Sequence, residues 1–495
     1  MSSLPVLIKR QGRLWICVKM VAAESGRPHV ALLPSPGMGH IIPLLEMAKR
    51  LVLHHGFHVS FITITTEASA AQTQLLRSPN LPSGLHVVEL PPADMSTILH
   101  DDMTIVQRLC LIVQESLPYI RSVLRENPPQ ALIVDIFCTD AFQIAKDLSI
   151  PAYSFFTAPT ALLALSLYLP TMDREIEGEY VDLPKPVQVP GCNAIRTEDL
   201  LDQVRNRKIE EYKWYLLSVS RLPMAVGIFV NTWEDLEPVW LRGLRENSFF
   251  QQIPIPPVLP IGPLIKEDEP LTDFDNDCIE WLDKQPPDSV LFITLGSGGT
   301  LTSTQLTELA WGLELSQQRF ILVVRTPSDA SASGAFFNVG NNVMKAEAYL
   351  PQGFMERTQE VGLVIPSWAP QVTVLRHPST GGFLSHCGWN STLESISHGV
   401  PMIAWPLYAE QRMNATMLTE EVGVAVRPVV GEGKNVVGRE EIERVVRLVM
   451  EGEEGKEMRR RVRELQSSAL ATLKPGGPSF EALSEVAGTW TTTAH

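Results

Sequence analysis

The sequence predicts an α/β protein made of two doubly wound domains, and three observations support that class. Short apolar segments alternate with longer amphipathic segments in both halves of the chain, which is typical of parallel sheets covered by helices. A proline-rich stretch at residues 253–270, IPIPPVLPIGPLIKEDEP, interrupts the alternation and has the composition of a domain linker. With 495 residues, the chain is also too long for one ordinary hydrophobic core.

The first half begins its alternation with HVALLPS, an apolar run that turn residues close. In the following HIIPLLEMAKRLVLHHG, apolar residues repeat along one helical face, and Gly56 is placed to end the helix. FHVSFITI is predicted as the next strand, so these three segments form one strand-helix-strand unit of a parallel sheet. ALIVD, IPAYSFF and AVGIFVNTW are predicted as further strands of the same sheet.

The second half repeats this pattern with segments that we predict as strands: SVLFITL, RFILVVR, LVIPSWAP, GGFLSHCG and VPMIAWP. LTELAWGLELS lies between the first two and has a helical pattern. An insertion at residues 328–342, SDASASGAFFNVGNN, is expected to form a surface loop because of its small and polar composition. The closing FEALSEVAGTW is predicted as a helix.

These elements divide the chain into five expected segments: an N-terminal extension at 1–27 that we predict to be disordered, a first domain at 28–262, a linker at 263–275, a second domain at 276–472, and a closing helical segment at 473–495 that could pack back on either domain. The extension has positive charges and an apolar patch like a signal peptide. Lys19 interrupts that patch and no convincing cleavage site follows, so Met20 is an alternative start of the working protein.

The composition excludes several classes of partner. The formal net charge is −15, which argues against nucleic acid or an anionic membrane, since binding these needs a concentrated positive field. The apolar run at 161–169 is far shorter than the roughly 20 residues that span a bilayer, so no stable membrane insertion is expected. The 6 cysteines are scattered without a Cys-x-x-Cys pair, which favours neither zinc nor disulfides and fits the cytoplasm.

Two polar residues follow predicted strands in the first half, where open parallel sheets bind their ligands. His40 comes after the first strand and turn, and Asp135 ends ALIVD. A lone histidine near a helix start is more often structural, and Asp135 could cap the following helix. Together they predict a general base, because a carboxylate fixes the tautomer of an imidazole and raises its basicity. Asp140 is a rival partner, but it is expected within the following helix.

The second half has a candidate anion site at GGFLSHCGWNSTLE, residues 381–394. A helix that begins near Asn390 and Ser391 would present unpaired N–H groups, and His386 at the strand end could add a donor. An ordinary capped helix is an equally good interpretation, since Ser391 and Glu394 have the spacing of a capping box. The glycine-rich GSGGT at 296–300 lacks the Gly-Lys-Ser/Thr of a P-loop and is weak evidence by itself.

A metal site at DFDND, with Asp273, Asp275 and Asp277, is the less favoured interpretation of that motif. The sixth position of a calcium loop is not glycine here, and the twelfth is Lys284 where such loops have glutamate. The acids directly precede CIEWLDKQ, where they complement the dipole of a helix.

From Trp368 to Gln411 the sequence runs WAPQVTVLRHPSTGGFLSHCGWNSTLESISHGVPMIAWPLYAEQ, which closely resembles the signature segment of plant UDP-glycosyltransferases. The resemblance extends from about Pro28 over nearly the whole chain, including PSPGMGHIIP and GSGGT, and points to the hydroquinone and monolignol glucosyltransferases. It implies a GT-B fold, in which two Rossmann-like domains face a central cleft. It also implies a monomer that needs no metal or other cofactor.

The activity implied by this resemblance is inverting transfer of glucose from UDP-glucose to a hydroxyl of a small aromatic acceptor. Phenols, hydroquinones, monolignols and flavonoids are the acceptor types, and the product is a β-glucoside. His40 matches the base of the family and Asp135 its partner.

Donor-binding roles also follow from the resemblance, position by position. Trp368 is expected to stack on uracil, with the Ala369 backbone and Gln371 near the base and ribose. Glu394 is expected to accept hydrogen bonds from the ribose hydroxyls.

The resemblance assigns the remaining donor-binding residues to the diphosphate and the sugar. The resemblance assigns the diphosphate to Ser297, His386, Asn390 and Ser391, and it places Trp389 near the sugar. Glu410 and Gln411 are expected to read the sugar hydroxyls. The family often has Asp at the first of these two positions, and Gln at the second favours glucose over galactose.

Two further functions remain as alternatives at this point. A nicotinamide-dependent oxidoreductase also uses doubly wound sheets, although the full glycine fingerprint with its acidic partner is missing. A non-catalytic nucleotide-sugar-binding protein would not need both His40 and Asp135. A serine hydrolase is weaker still, because no G-x-S-x-G motif occurs.

Overall fold

A computed structural model describes residues 5–10, 13–19, 26–100, 103–266, 273–329, 332 and 346–492. The chain divides into two compact units. Unit 1 comprises Met1–Glu198, Gln203–Leu264 and Thr472–His495. Unit 2 comprises Asp199–Asp202 and Ile265–Ala471.

The strands, in chain order, are β1 (Pro5–Arg10), β2 (Arg13–Lys19), β3 (His29–Leu33), β4 (His58–Ile64), β5 (Leu85–Leu90), β6 (Ala131–Asp135), β7 (Ala152–Phe156), β8 (Val187–Gln188), β9 (Ala194–Ile195), β10 (Ile228–Val230), β11 (Val258–Pro260), β12 (Val290–Thr294), β13 (Arg319–Val324), β14 (Gly362–Pro366), β15 (Thr380–Ser385), β16 (Met402–Ala404) and β17 (Ala425–Val426).

The α-helices, in chain order, are α1 (Met38–His55), α2 (Ala70–Leu76), α3 (Ile105–Glu126), α4 (Ala141–Asp147), α5 (Thr160–Glu175), α6 (Glu210–Ser220), α7 (Pro238–Glu246), α8 (Ser248–Gln252), α9 (Asp273–Asp283), α10 (Ser303–Ser316), α11 (Phe354–Thr358), α12 (Gln371–Arg376), α13 (Trp389–Ser397), α14 (Gln411–Thr416), α15 (Arg439–Met450), α16 (Glu453–Thr472) and α17 (Pro478–Thr492).

Unit 1 is built on a parallel sheet of seven strands in the order β11-β10-β7-β6-β3-β4-β5. Strands β3, β4, β6 and β7 are buried along their whole length, as expected for a sheet covered on both faces. The strand order reverses between β3 and β6, which makes this the topological switch point of the sheet. Helix α1 leaves β3 through Gly37 and ends at Gly56, whose φ of 73° is left-handed, so the predicted helix stop is confirmed.

Unit 2 has a parallel sheet of six strands in the order β14-β13-β12-β15-β16-β17. This is the doubly wound order of a Rossmann fold, with its switch point between β12 and β15. Helices α10 and α15 cover one face, and they pack so closely at Gly312 that an added Cβ would lie 2.5 Å from the Ile442 side chain. The predicted fold class, two Rossmann-like domains, is therefore confirmed.

The closing helix α17 belongs to unit 1. Its Trp490 is 2% exposed and lies edge-on to the rings of Phe57, Tyr153 and Phe229, with centroids 5.3–6.4 Å away. The last turns of the chain thus complete the core on the α1 face of the first sheet.

Two expectations need correction. The extension predicted to be disordered contains β1 and β2, which pair as an antiparallel ribbon, because PVLIKR and RLWICVK are rich in residues that favour strands. The first part of the proline-rich stretch at 253–270 forms β11, which pairs with β10 at the sheet edge, and the chain passes from unit 1 to unit 2 at Leu264–Ile265 within the same stretch. Proline has no N–H group to donate to a neighbouring strand. An edge strand tolerates it because one side of that strand has no neighbour to bond.

Other expectations lie partly outside the described residues. This holds for the insertion at 328–342 and for the linker between residue 266 and α9. The cysteines whose side chains are described are buried and form no disulfide: Cys110, Cys138, Cys192, Cys278 and Cys387. Within the described part of the chain, no helix combines the length and apolar character that crossing a membrane requires.

Candidate active site

The switch point of the first sheet carries the predicted base and its partner. His40 is the third residue of α1, which follows β3, and Asp135 is the last residue of β6. Because β3 and β6 are parallel neighbours, the residues after them meet at the same edge. His40 Nδ1 lies 2.8 Å from Asp135 Oδ2. The Asp135 side chain is fully buried, and that of His40 is 17% exposed.

Thr157 is a third member of this group, which the sequence analysis did not single out. It follows β7, the strand beside β6, and its Oγ1 lies 3.0 Å from His40 Nδ1 and 3.4 Å from Asp135 Oδ2. The signal that could have found it is its place directly after the apolar run IPAYSFF. One member of the group therefore lies at or beyond the carboxyl end of each of three neighbouring strands, β3, β6 and β7.

These contacts determine which nitrogen of His40 can act as a base. An ionised carboxylate only accepts hydrogen bonds, so Nδ1 carries a proton that it donates to Asp135, and the lone pair is on Nε2. The Thr157 hydroxyl can then donate to Asp135 Oδ2, while the Phe137 N–H donates to Asp135 Oδ1 at 3.0 Å. The carboxylate is thus held on both oxygens and cannot rotate away from the imidazole.

The rival interpretations of these acids are answered by the same contacts. Asp140 pairs with Arg221 at 2.7 Å, so its carboxylate is engaged away from His40. Asp135 does cap a short 3-10 turn at Ile136–Cys138 through its bond from Phe137, and this capping coexists with the bond from His40.

The switch point of the second sheet is formed by the turn after β12 and by His386 after β15. Gly296 in that turn has a left-handed φ of 71°, and an added Cβ would lie 2.3 Å from His386 Cε1. Gly388 approaches the ring from another side, where a Cβ would lie 2.4 Å from Nε2. The imidazole is therefore packed between two glycines, and Ser297 lies half-buried beside it in the same turn as Gly296.

His386 is 8% exposed, and its Nδ1 has no hydrogen-bond partner among the described residues. Burial, with a smaller contribution from the nearby charge of Arg325, lowers the pKa of His386 to about 3. The ring is therefore neutral at physiological pH and can donate one hydrogen bond to a ligand without adding a charge.

Helix α13 begins at Trp389 with Gly388 as its N-cap. Ser391 lies inside the first turn, and its Oγ accepts a hydrogen bond of 3.0 Å from Gln371 Nε2. The same amide donates to Glu394 Oε2 at 2.5 Å. Ser391 and Glu394 are therefore not a capping box, and the structure brings Gln371, Ser391 and Glu394 together instead.

The residues after β14 lie at the same edge of the second sheet, two strands away from β12. Ser367 has a left-handed φ of 65°, and Trp368 follows it with 41% of its surface exposed. An exposed indole is unusual for a residue of this size and is typical of a stacking surface. Ala369 beside it is buried.

Arg325 follows β13 and was also missed by the sequence analysis. Its Nε donates to the Ser367 carbonyl at 3.1 Å, and its Nη1 to the Gly299 carbonyl at 3.4 Å. No carboxylate pairs with it among the described residues, and burial lowers its pKa to about 10. It remains a cation at pH 7, so the site has a half-buried positive charge whose hydrogen-bond partners are the Ser367 and Gly299 carbonyls. Its place directly after the apolar run RFILVV is the signal that could have found it.

Glu410 and Gln411 lie at the start of α14, beyond β16. Gln411 is 3% exposed, and its Oε1 accepts from the backbone N–H groups of Leu407 and Tyr408 at 2.9 and 3.0 Å. Its Nε2 therefore points the other way, since the amide oxygen is used. Glu410 Oε1 accepts from Asn414 Nδ2 at 3.2 Å.

A metal centre is not among the features of the described residues. None of them form a group of three or more His, Cys, Asp or Glu side chains that could hold an ion. Asp273 begins α9, and Asp275 and Asp277 lie in its first turns, where acids complement the helix dipole.

Two doubly wound units, each with polar residues gathered at the switch point of its sheet, have the architecture of a GT-B glycosyltransferase. A family model described as UDP-glucoronosyl and UDP-glucosyl transferase matches residues 284–466. The chain is 47% identical over 467 residues to the hydroquinone glucosyltransferase of Rauvolfia serpentina, covering 94% of this chain and 98% of that protein. The chain therefore belongs to the UDP-glycosyltransferase family, and it is an enzyme that transfers a glycosyl group.

Solved structures agree with this assignment. The crystal structure of TcCGT1 in complex with UDP is 49% identical, with a TM-score of 0.89, and covers 94% of this chain and 100% of that one. The structure of Phytolacca americana UGT2 complexed with UDP-2fluoro-glucose and pterostilbene is 43% identical, with a TM-score of 0.84, and covers 94% and 100%. These likenesses do not favour the oxidoreductase or the non-catalytic binding protein considered from the sequence.

Proposed function

We propose that this enzyme transfers glucose from UDP-glucose to a hydroxyl of a small aromatic acceptor, with inversion at the anomeric carbon. A hydroquinone glucosyltransferase and a structure with bound pterostilbene among its relatives support a phenolic acceptor. The apolar content of the loops after the strands of unit 1 is compatible with an aromatic ring. The product is a β-glucoside.

The observation that carries this proposal is the hydrogen bond between His40 Nδ1 and buried Asp135. With its proton on Nδ1, the imidazole offers the lone pair of Nε2 to an acceptor hydroxyl. The acceptor oxygen forms its bond to the anomeric carbon as its proton moves to Nε2. Asp135 stabilises the imidazolium that results, and Thr157 holds the carboxylate in place.

The leaving group is UDP, which departs with the electron pair of the bond between the anomeric carbon and phosphate oxygen. We assign the diphosphate to Ser297, His386, Asn390 and Ser391, where the first turn of α13 offers backbone N–H groups and the positive end of its dipole. Arg325 adds the only full positive charge that we place near it, and a diphosphate would supply the counter-ion that the guanidinium lacks.

We assign the remaining donor contacts to side chains of unit 2 that match the positions of the family. Trp368 stacks on uracil with its exposed ring, and the Ala369 backbone and Gln371 lie near the base and ribose. Glu394, oriented by Gln371, accepts from the ribose hydroxyls.

The glucose is recognised next to the diphosphate. Trp389 lies near the sugar, while Glu410 accepts and Gln411 donates hydrogen bonds to its hydroxyls. The Gln411 amide is oriented for this role by its two bonds from the backbone.

His40→Ala tests the assignment of the base. We expect it to lower kcat for phenol glucosylation by about 10²- to 10⁴-fold, because proton removal in the transition state is lost. UDP-glucose binding measured by calorimetry is expected to stay unchanged. Asp135→Asn serves as the graded comparison, with a smaller loss of kcat. Unchanged turnover of His40→Ala would contradict the role, and an α-linked product by NMR of its anomeric proton would contradict inversion.

A further inference from the structure

One short segment of the chain belongs to a different unit from its sequence neighbours. Asp199–Asp202 is part of unit 2, whereas the residues on either side, Glu198 and Gln203, are part of unit 1. Nothing in the sequence pattern marks these four residues, and the resemblance gives them no role. Their contacts are made with the turn that precedes α14 and with the elements around it.

Asp202 holds Ala409 by bonds in both directions. The Ala409 N–H donates to Asp202 Oδ2 at 2.7 Å, and the Asp202 N–H donates to the Ala409 carbonyl at 3.3 Å. The other carboxylate oxygen, Oδ1, forms an ion pair with Arg412, the second residue of α14. Asp202 thus fixes the backbone of Ala409, which precedes Glu410 and Gln411, and the side chain of Arg412, which follows them.

The turn needs such support because Ala409 is in a left-handed conformation, with a φ of 54°. A residue with a Cβ adopts this conformation only at a cost in free energy, so it persists where the surroundings determine it. The φ and ψ of Ala409 set the direction in which the next residue, Glu410, leaves the turn. Gln411 depends on the same turn, since its Oε1 accepts from Leu407 and Tyr408.

We propose that Asp202 is a positioning residue that sets Glu410 and Gln411 for recognition of the donor sugar and thereby determines sugar specificity. The proposal rests on the function proposed above, because it takes these two residues as sugar ligands. Asp202 itself contacts no substrate. By this proposal, a residue of unit 2 that lies more than 200 residues before Ala409 in the sequence controls the choice of hexose.

The test compares Asp202→Ala and Asp202→Asn with the matched control Asp199→Asn. Asparagine keeps an oxygen that accepts from Ala409 but loses the charge that pairs with Arg412, whereas alanine loses both. Asp199 is bound to Thr416, the last residue of α14, and to Arg427, which follows β17. For each variant we would measure the Kd of UDP, the KM and kcat with UDP-glucose and with UDP-galactose, and the melting temperature.

For Asp202→Ala we expect the KM for UDP-glucose to rise by about 5- to 10-fold, the loss corresponding to one or two hydrogen bonds. The preference for glucose over galactose should fall by several fold, while the Kd of UDP stays within about 2-fold. Asp202→Asn should lie between wild type and alanine. Asp199→Asn should lower the melting temperature without altering the sugar preference.

Two results would overturn the proposal: a sugar preference in Asp202→Ala equal to that of wild type, or a parallel weakening of UDP and UDP-glucose. The second would show a general loss of the donor site and not a loss of sugar positioning. If the proposed glucosyl transfer itself were wrong, the wild-type enzyme would neither bind UDP nor turn over UDP-glucose. That result is distinct from either outcome in the Asp202 variants.

Discussion

At the scale of single residues, the chemistry depends on groups whose ordinary behaviour is changed by burial. His386 is neutral because burial lowers its pKa to about 3, and Arg325 stays charged although it is largely buried and has only carbonyl partners among the described residues. A buried cation without a carboxylate is costly, and such a cost is tolerated where a ligand supplies the missing anion. Arg325 bonds the Ser367 and Gly299 carbonyls and keeps a charge that an anionic ligand can compensate.

Arg325→Met should weaken UDP binding by about 10-fold or more, since a charge-assisted interaction with the diphosphate is lost. Uridine, which has no phosphate, should bind the variant and the wild type alike. Arg325→Lys is the control that keeps the charge, and it should recover part of the UDP affinity. Calorimetric titration with both ligands measures the two effects, and an equal loss for uridine and UDP would point to a displaced Trp368 turn.

At the scale of secondary-structure elements, the amino-terminal ends of β3, β4 and β5 bring three histidines together, opposite the edge that carries His40. His29 and His58 lie edge to face at 5.3 Å, and His58 stacks on His86 at 4.6 Å. His29 Nε2 bonds to Ser60 Oγ at 2.8 Å, and the ring is 5% exposed. Burial, the nearby His58 and, more weakly, His86 lower the pKa of His29 to about 4, although the Pro128 carbonyl acts in the opposite direction.

This arrangement predicts that the fold loses stability in acid. Because the folded pKa of His29 lies below its unfolded value, the unfolded chain binds a proton from about pH 6.5 downward while the folded chain does not until about pH 4. The free energy of unfolding should therefore fall between these values, with about 2 kcal/mol lost from this group at pH 5. No contribution is expected above pH 7.

Urea unfolding at pH 7.5 and pH 5.0 measures this loss. His29→Asn should show a smaller difference between the two pH values than wild type, and the exposed His100→Asn should show the same difference as wild type. His386 and His398 also have lowered pKa values, so they contribute to the loss of stability of the wild type in acid. The contribution of His29 is therefore the amount by which His29→Asn reduces the difference in unfolding free energy between the two pH values. An identical pH dependence in His29→Asn would contradict the assignment.

At the scale of the whole molecule, the end of the chain stabilises the unit that contains the base. Trp490 in α17 fills the core beside Phe57, Tyr153 and Phe229, far along the sequence from all three. Trp490→Ala should lower the free energy of unfolding of unit 1 by about 3–5 kcal/mol through the cavity it leaves. Thr491→Ala, at an exposed neighbouring position, should change it little.

Differential scanning calorimetry and UDP titration together test this assignment of α17. The Trp490→Ala variant should lose glucosylation activity at a lower temperature than wild type, whereas its affinity for UDP at low temperature, a property of unit 2, should be retained. Lost UDP affinity with an unchanged melting profile would show that α17 acts on the donor site instead.

The sequence by itself determined the class of the protein and most of its strands. Alternating apolar and amphipathic segments are a local property, and GGFLSHCG, ALIVD and HVALLPS are apolar enough to be strands in any arrangement of this sheet. The edge strands β8, β9, β11 and β17 were missed because they are only two or three residues long or contain proline, so their pairing comes from the neighbouring strand and not from their own pattern.

Only the tertiary structure decided which residues act together. His40, Asp135 and Thr157 are up to 117 residues apart, and their meeting follows from the order of β3, β6 and β7 in the sheet. The same holds for Ser391, whose spacing to Glu394 suits a capping box but whose hydroxyl bonds to Gln371, and for Asp202 beneath Ala409. Periodicity reports which side of an element is buried, whereas a contact between distant residues depends on strand order and on the register of whole elements, which no local pattern contains.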